Sequence, residues 1–446
     1  MNDAGHQIVS DAVTEAEWFD AIVLGAGISG LVSASLLARH GCRRVLIVDE
    51  YDHVGGNHID WTSGGYTFDI GSLIFQDDSP LLDHFPELLP LYVPIDPQWA
   101  RLNPQGMITT YPISVRDDIF GAGPVEIIRI FASVLYARLF QRDMRNARDF
   151  ARYWIGAYLL HRSGLQSYMK RFYGIATDGI DIDLARKRML WISEHASLRN
   201  LLSRIMKPKQ PGRRNRQMAR PREGFRVLYR AAAGRLEKAG AEFHLGAEMR
   251  AIHKVQDQFH LQLKDRIVAS GRIISTIPIH RAEQLCGIES GQKLDTITLI
   301  GLYFSFAGDR GFRQSIIYNF SHEGAWKRLT MYSDFYGQAD GREYFTAEVI
   351  GNHIGGSIPR AERDFRDHVH ANGLFRGDLR LEGSCSLENA YPIYSQGAAQ
   401  RAADAIGRLR DFGLESLGRQ GGFNYQPTAR ASTVEAEAAL RETQAS

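Results

Sequence analysis

A short apolar run, Phe19 to Leu24, opens directly into Gly25-Ala26-Gly27-Ile28-Ser29-Gly30, and this transition restricts the fold more than any other stretch of the chain. A helical stretch, Leu31 to His40 closed by Gly41, comes next, and a second apolar run from Arg44 to Val48 ends at Asp49. Strand, tight turn, helix, strand and acid, in that order, make a βαβ unit built to hold a dinucleotide. Gly25 allows the turn, Gly27 lets the main chain approach a pyrophosphate, and Gly30 lets the helix pack closely on the strands. Ala26 and Ser29 complete a loop whose N–H groups, at the positive end of a helix, suit phosphate oxygens. Asp49 can accept hydrogen bonds from ribose hydroxyls, and its charge disfavours a ribose that bears a phosphate. Gly121 and Gly123 repeat only the first half of the pattern, because Glu126 stands at the third position and no βαβ pattern follows.

The residues after Asp49 narrow the choice of dinucleotide. Asp52-His53-Val54-Gly55-Gly56-Asn57 and Gly65-Tyr66-Thr67-Phe68-Asp69-Ile70-Gly71 form a glycine-rich stretch just beyond the second strand, an extra clamp that an exchangeable nicotinamide carrier does not need. Here the chain resembles the FAD-dependent superfamily of amine oxidases, protoporphyrinogen oxidase, phytoene desaturases and UDP-galactopyranose mutase. The resemblance implies an FAD cofactor, with Gly55, Gly56 and Asn57 near its phosphates and ribityl chain and Gly71 near the flavin ring. Asp49 stands where that family usually has Glu, and His53 to Asn57 looks most like the mutase version. Ser72 and Gln76 stand where mutases carry histidines, which weighs against the sugar-ring-contracting reaction. No second complete GxGxxG is present.

Later segments follow the family's order. Tyr111-Pro112-Ile113 and Tyr168 to Gly174 resemble the mutase and protoporphyrinogen-oxidase branch, Pro221 to Phe225 and the strand-like Glu242 to Leu245 resemble the return to the FAD domain, and Met249 then falls at the adenine contact. Arg272 to Pro278 matches the strand that ends in Thr and Pro. Glu388 to Tyr394 and Gly418 to Tyr425 resemble the closing FAD motif, which implies roles for Gly418, Arg419, Tyr425 and Thr428 beside the flavin. A helix is expected over Ser432 to Arg441. Gln426-Pro427-Thr428-Ala429 departs from the polar, Met- or Asp-containing turn usual there.

The expected fold class is α/β, a Rossmann-like FAD-binding domain (residues 19–96, 224–279 and 384–440) interleaved with an α+β substrate domain (97–223 and 280–383), after a loose leader over 1–18. Val125 to Ile205 reads as mainly helical. Ile300 to Phe306, Ser315 to Phe320, Arg328 to Tyr332 and Tyr344 to Ile350 read as strands of an antiparallel sheet flooring a substrate cavity. Val125 to Leu139 reads as a core helix rather than one lying on a membrane surface. Glu126, Arg129 and Arg138 interrupt Pro124 to Phe140, so no segment is expected to span a bilayer.

The net charge of +2 hides one basic run: Ser203 to Arg230 holds ten Lys and Arg residues against Glu223 alone, a local +9. Such a run suits a phosphorylated small-molecule substrate or an anionic lipid surface, or is a solvated loop; with no interleaved aromatics, nucleic acid is not expected. Cys42, Cys286 and Cys385 form no CxxC pair, so no metal site is expected and a reducing cytoplasm is the natural compartment. The candidate catalytic residues are Arg328, for an anionic group, and Tyr391, at the wall of the flavin cavity; His58 and His195 are read as structural. Three functions remain open: a flavin oxidoreductase transferring a hydride from a metabolite, a redox-neutral mutase-like isomerase acting on a nucleotide sugar, and a catalytically silent FAD-binding partner.

Overall fold

The computed structural model describes residues 16–71, 73–188 and 216–445. Its organising element is a five-stranded parallel sheet. β1 (Ala21–Leu24) leads through the glycine turn into α1 (Ile28–Arg39) and returns as β2 (Val45–Asp49), while β3 (Ala241–Leu245) flanks β2. β4 (Ile273–Ser275) lies on the other side of β1, and Glu415–Ser416 closes that edge. The apolar runs are continuous because both sheet faces are buried. Ala21, Val23, Val45 and Ile47 pack toward α1, and Ile22, Leu24, Leu46 and Val48 pack toward Met249, Leu261 and Leu409. α1 starts three residues before the expected Leu31, since Gly27 already serves as its N-cap. A short strand ahead of β1, Glu17–Phe19, pairs in parallel with Val268–Ser270, so Glu17 and Trp18 of the stretch expected as leader belong to a sheet.

The second unit is helical and then β-rich. α2 (Pro124–Phe140), α3 (Ala147–Arg162) and α4 (Leu165–Tyr173) form a helical layer. β5 (Thr296–Arg310), β6 (Ile316–Asn319), β7 (Trp326–Met331), β8 (Glu343–Ile350) and β9 (Phe375–Pro392) belong to one seven-stranded sheet, completed by Trp99–Leu102 and Ile108–Thr110. The four expected strands fall on β5 to β8. The sheet is antiparallel except where β6 runs parallel to Trp99–Leu102. One face packs Phe304, Phe345 and Phe365 into a core; the other sets Tyr303 and Tyr344 against Phe68 of the dinucleotide-binding unit. β9 is 18 residues long and runs through Ser384, the expected domain boundary, before its last residues reach the cofactor cleft. α5 (Ala429–Ala445), longer at both ends than expected, buries Ala436 and Leu440 in the core that it shares with α1.

Two expectations are corrected. α2 is not a core helix: Ile130 and Ala137 are its fully buried apolar residues, whereas Ile128, Phe131, Leu135 and Phe140 are each more than half exposed. The basic run is not one solvated loop either. Residues 203–215 lie outside the described residues, as do His195 and Ser72, but Arg220 is fully buried. Its Nε is paired with Asp69, and its other nitrogens donate to Thr67 O and Pro221 O, both at 2.7 Å. Arg222, Arg226 and Arg230 face solvent.

Candidate functional site

The glycines of the first turn are required by what surrounds them. Gly25 has φ +102°, and a Cβ there would overlap Thr276 Oγ1; a Cβ on Gly30 would overlap Gly25 O. Those two residues hold strand, turn and helix together. Gly27 differs, because a Cβ there would meet nothing closer than Gly56 Cα at 3.9 Å. The bare Cα atoms of Gly27 and Gly56 therefore face each other, and the Gly55 N–H donates to Ala26 O (2.9 Å) to fix that approach. Gly55 has φ +118° and lies against the Tyr229 ring.

Between these loops runs a cleft of about 270 Å³, walled by Gly27, Ser29, Asp49, Gly56, Asn57 and Arg419. Asp49 is buried at the end of β2. Ala26 N–H donates to its Oδ2 (2.6 Å) and Tyr51 N–H to its Oδ1 (2.9 Å). Burial pushes its carboxyl up, and the two N–H donors oppose that shift. Ala26 braces the acid from behind rather than lining the cleft. Gly418 packs on Ser29, and Met249 is buried with its carbonyl accepting from Arg281 Nη2 (2.7 Å), so neither stands among the cleft-lining residues.

A second, narrower chamber of about 30 Å³ shares Asn57, His58 and Arg419 with the cleft and continues to Gly71, Tyr391 and Thr428. His58 bridges the two cavities. Its ring stacks on Phe225 at 4.4 Å between centroids, its Nδ1 is hydrogen-bonded to the Tyr229 hydroxyl, and burial lowers its pKa to about 3, so it stays neutral. Tyr391 stands between cations, with Lys327 Nζ 5.0 Å and the Arg419 guanidinium 5.5 Å from its ring centre. Tyr425 packs 6.0 Å from both Tyr391 and Phe172.

Arg328 is not a surface charge. It projects from β7 onto Gly71 O and Glu348 Oε1, while Lys327 Nζ reaches Glu348 Oε2 (3.1 Å) and Gly71 N–H donates to Glu348 Oε1 (3.2 Å). Burial alone would raise the Glu348 carboxyl, but Arg328 and Lys327 hold it below the usual range. Two cations against one carboxylate leave a net positive charge beside Gly71. Successive strand residues normally point to opposite faces. Here the β7–β8 register slips between Trp326 and Arg328, and that bulge lets Lys327 and Arg328 reach the same carboxylate.

The residues fit a bound dinucleotide. A bare Gly27–Gly56 approach at the start of a 12-residue helix suits a pyrophosphate, Asp49 suits a ribose, and buried Gln426 Oε1 on the cleft wall has no partner. Residues 23–87 match the family described as NAD(P)-binding Rossmann-like domain. Over 96% of this chain and 94% of the other, the fold superposes on reduced UDP-galactopyranose mutase with a TM-score of 0.78 at 16% identity. At this level of identity the likeness is one of fold. A protein assigned as a protoporphyrinogen oxidase from Exiguobacterium sp. 255-15 agrees, with a TM-score of 0.72 at 15% identity over 97% and 99% of the two chains. Sequence likeness to curated proteins is confined to short stretches. Prolycopene isomerase 2 of an Oncidium hybrid is 48% identical over 62 residues, 14% of this chain, and UDP-galactopyranose mutase of Mycoplasma genitalium is 57% identical over 42 residues, 9% of this chain. The matched stretch spans about a tenth of either relative's length.

Several residues of the site carry no motif signal. Lys327 and Glu348 meet only through strand pairing, and His58 reads as one more histidine until Phe225 and Tyr229 are folded against it. Gln426 is the exception: the sequence flags its segment as a departure from the family's turn, and it lines the cleft.

Proposed function

We propose that this chain is an FAD-dependent oxidoreductase in which a small metabolite, bound in front of Tyr391, gives up a hydride. One observation carries this reading: the cleft at Asp49 and Gly27–Gly56 meets, at Asn57, His58 and Arg419, a chamber that ends at Gly71 and Tyr391. FAD would supply the two-electron chemistry. The protein's residues do the rest. Asp49 would hold the adenosine ribose, the α1 N-terminus and Gly27 would take the pyrophosphate, and neutral His58 would add no charge where the two cavities meet. The net positive Lys327–Glu348–Arg328 group favours negative charge on a reduced ring or on the substrate. Arg328 Nε is buried without a hydrogen-bond partner, and although Arg328 lines neither cavity, an anionic substrate group that reached Gly71 would meet its charge. Tyr391, backed by two cations, forms the wall against which the substrate lies. The chamber holds only about 30 Å³, so loading is expected to displace the Arg419 side chain, whose Nη1 reaches Ala390 O at only 3.5 Å.

A second reading, a redox-neutral isomerase, is supported by short stretches of identity to both an isomerase and a mutase. One experiment separates the two. An absorbance spectrum of the purified protein is followed by a panel of amines, isoprenoids and nucleotide sugars, with and without prereduction by dithionite. Substrate-driven bleaching of a yellow protein supports the oxidoreductase; turnover only after prereduction, with no net acceptor, supports the isomerase. A colourless protein that cannot take up added FAD refutes both.

A further inference from the structure

Of the fifteen large apolar side chains exposed among the described residues, eight lie between Phe120 and Phe140, so they form one patch rather than a scatter. Val125, Ile128, Phe131, Leu135 and Leu139 recur every three or four residues, and together with Tyr136 they sweep about 140° of the circumference of α2 at 100° per residue. Ile130 and Ala137 face the other way, onto α3. No carboxylate falls within the exposed arc. Glu126 points back to the Tyr158 hydroxyl, and Arg138 folds over the Tyr153 and Trp154 rings at 4.8 and 4.6 Å. Around the margins stand exposed arginines: Arg116 before the helix, Arg129 on its flank, and Arg142 and Arg145 beyond its end. The nearest exposed acid, Asp143, is paired with Arg145 at 3.6 Å.

We infer that α2 docks on an anionic lipid surface, lying in the plane of the interface with this face immersed. Two physical points favour lipid over a second copy of the chain. The stripe is one helix wide and about 25 Å long, which falls short of the roughly 800 Å² per partner and matched contour that a stable dimer requires. A convex apolar ridge needs no matched contour in lipid, where it sinks about 5–10 Å below the headgroups. Of the arginines at its margins, Arg129 is paired with Glu126 (2.9 Å) and Arg145 with Asp143, so Arg116 and Arg142 are the first to meet lipid phosphates. This inference is independent of the redox chemistry proposed above.

The test is co-sedimentation of the full-length protein with mixed phosphatidylcholine–phosphatidylglycerol vesicles and with phosphatidylcholine alone. The wild type is expected to bind the anionic vesicles, and less so in high salt. Ile128→Glu combined with Leu135→Glu is expected to lower the bound fraction at least tenfold with an unchanged melting temperature and flavin content. Arg142→Glu with Arg145→Glu is expected to abolish the preference for anionic vesicles. Should the glutamate variant fail to fold, hydrogen exchange of the wild type decides: slowing over residues 124–140 on adding vesicles supports the inference, and unchanged exchange overturns it. Equal binding by wild type and glutamate variant overturns it. So does a dimer in light scattering that this variant dissolves, which identifies a second copy as the occupant. A monomer that ignores vesicles also overturns it.

Discussion

Gly27→Ala separates cofactor binding from folding. In the protein alone the new methyl would sit 3.9 Å from Gly56 Cα, an ordinary van der Waals contact, and Gly27 has φ −77°, which alanine adopts freely. The apoprotein should therefore melt at or slightly above the wild-type temperature, since a compatible Gly→Ala change stabilises by about 0.4–1 kcal/mol. The same methyl stands in the gap between two main chains where a pyrophosphate must approach. Losing one charge-assisted hydrogen bond at that point costs about 1.5–3 kcal/mol, which corresponds to roughly 10- to 100-fold weaker FAD binding. Titrating FAD into apoprotein by flavin fluorescence, beside thermal melts of the same samples, measures both quantities. Gly30→Ala is the contrasting control, because its methyl overlaps Gly25 O and should destabilise the fold itself, by about 1–3 kcal/mol. Unchanged FAD affinity in Gly27→Ala, or a melting temperature lowered as far as in Gly30→Ala, would refute the assignment of this gap to the cofactor.

Other outcomes follow from the same contacts. Asp49→Ala removes the acceptor of two N–H groups along with the ribose ligand, and should weaken FAD binding about tenfold or more while lowering stability, read by titration and melting. Glu348→Gln leaves Lys327 and Arg328 buried without a counter-charge and should destabilise by about 3–5 kcal/mol in denaturant titration, whereas a change below ~1 kcal/mol would mean that water already screens the group. Arg328→Lys should raise KM for an anionic substrate more than it lowers kcat, and equal effects on both would remove Arg328 from substrate binding. His84, His260 and His368 are buried, and burial lowers the pKa of each. The folded chain thus binds fewer protons than the unfolded chain, so stability present above about pH 6.5 should fall as the pH drops below that value. Urea unfolding that is flat between neutral and mildly acidic pH would contradict this.

The opening βαβ unit is legible in the sequence because each of its signals is local. Strands buried on both faces read as unbroken apolar runs, and Gly25 and Gly30 are fixed by neighbours within the same turn and by Thr276 of the strand alongside. The four strands of the substrate sheet are legible for a similar reason, since alternation and turn residues mark them one at a time. What the sequence hides is relational. Arg328 meets Glu348 across two strands, and Lys327 joins them only because of a bulge that no residue pattern announces. Arg220 sits in a basic run yet ends fully buried on Asp69, because the partner lies 151 positions earlier. α2 shows the limit most clearly: its apolar spacing gives a helix with a greasy face, but not whether anything packs on that face.

β9 gives the molecule a mechanical character. The strand is hydrogen-bonded along β5 as far as Leu387; it then bulges at residues 388–390, where Asn389 has φ +52°, and this irregular step sets Glu388 and Asn389 in the cleft and Tyr391 in the chamber beyond. Pairing with β5 resumes at Tyr391 and Pro392, so the strand is tied to the seven-stranded sheet on both sides of a single irregular step, and any give between the two cavities is concentrated there.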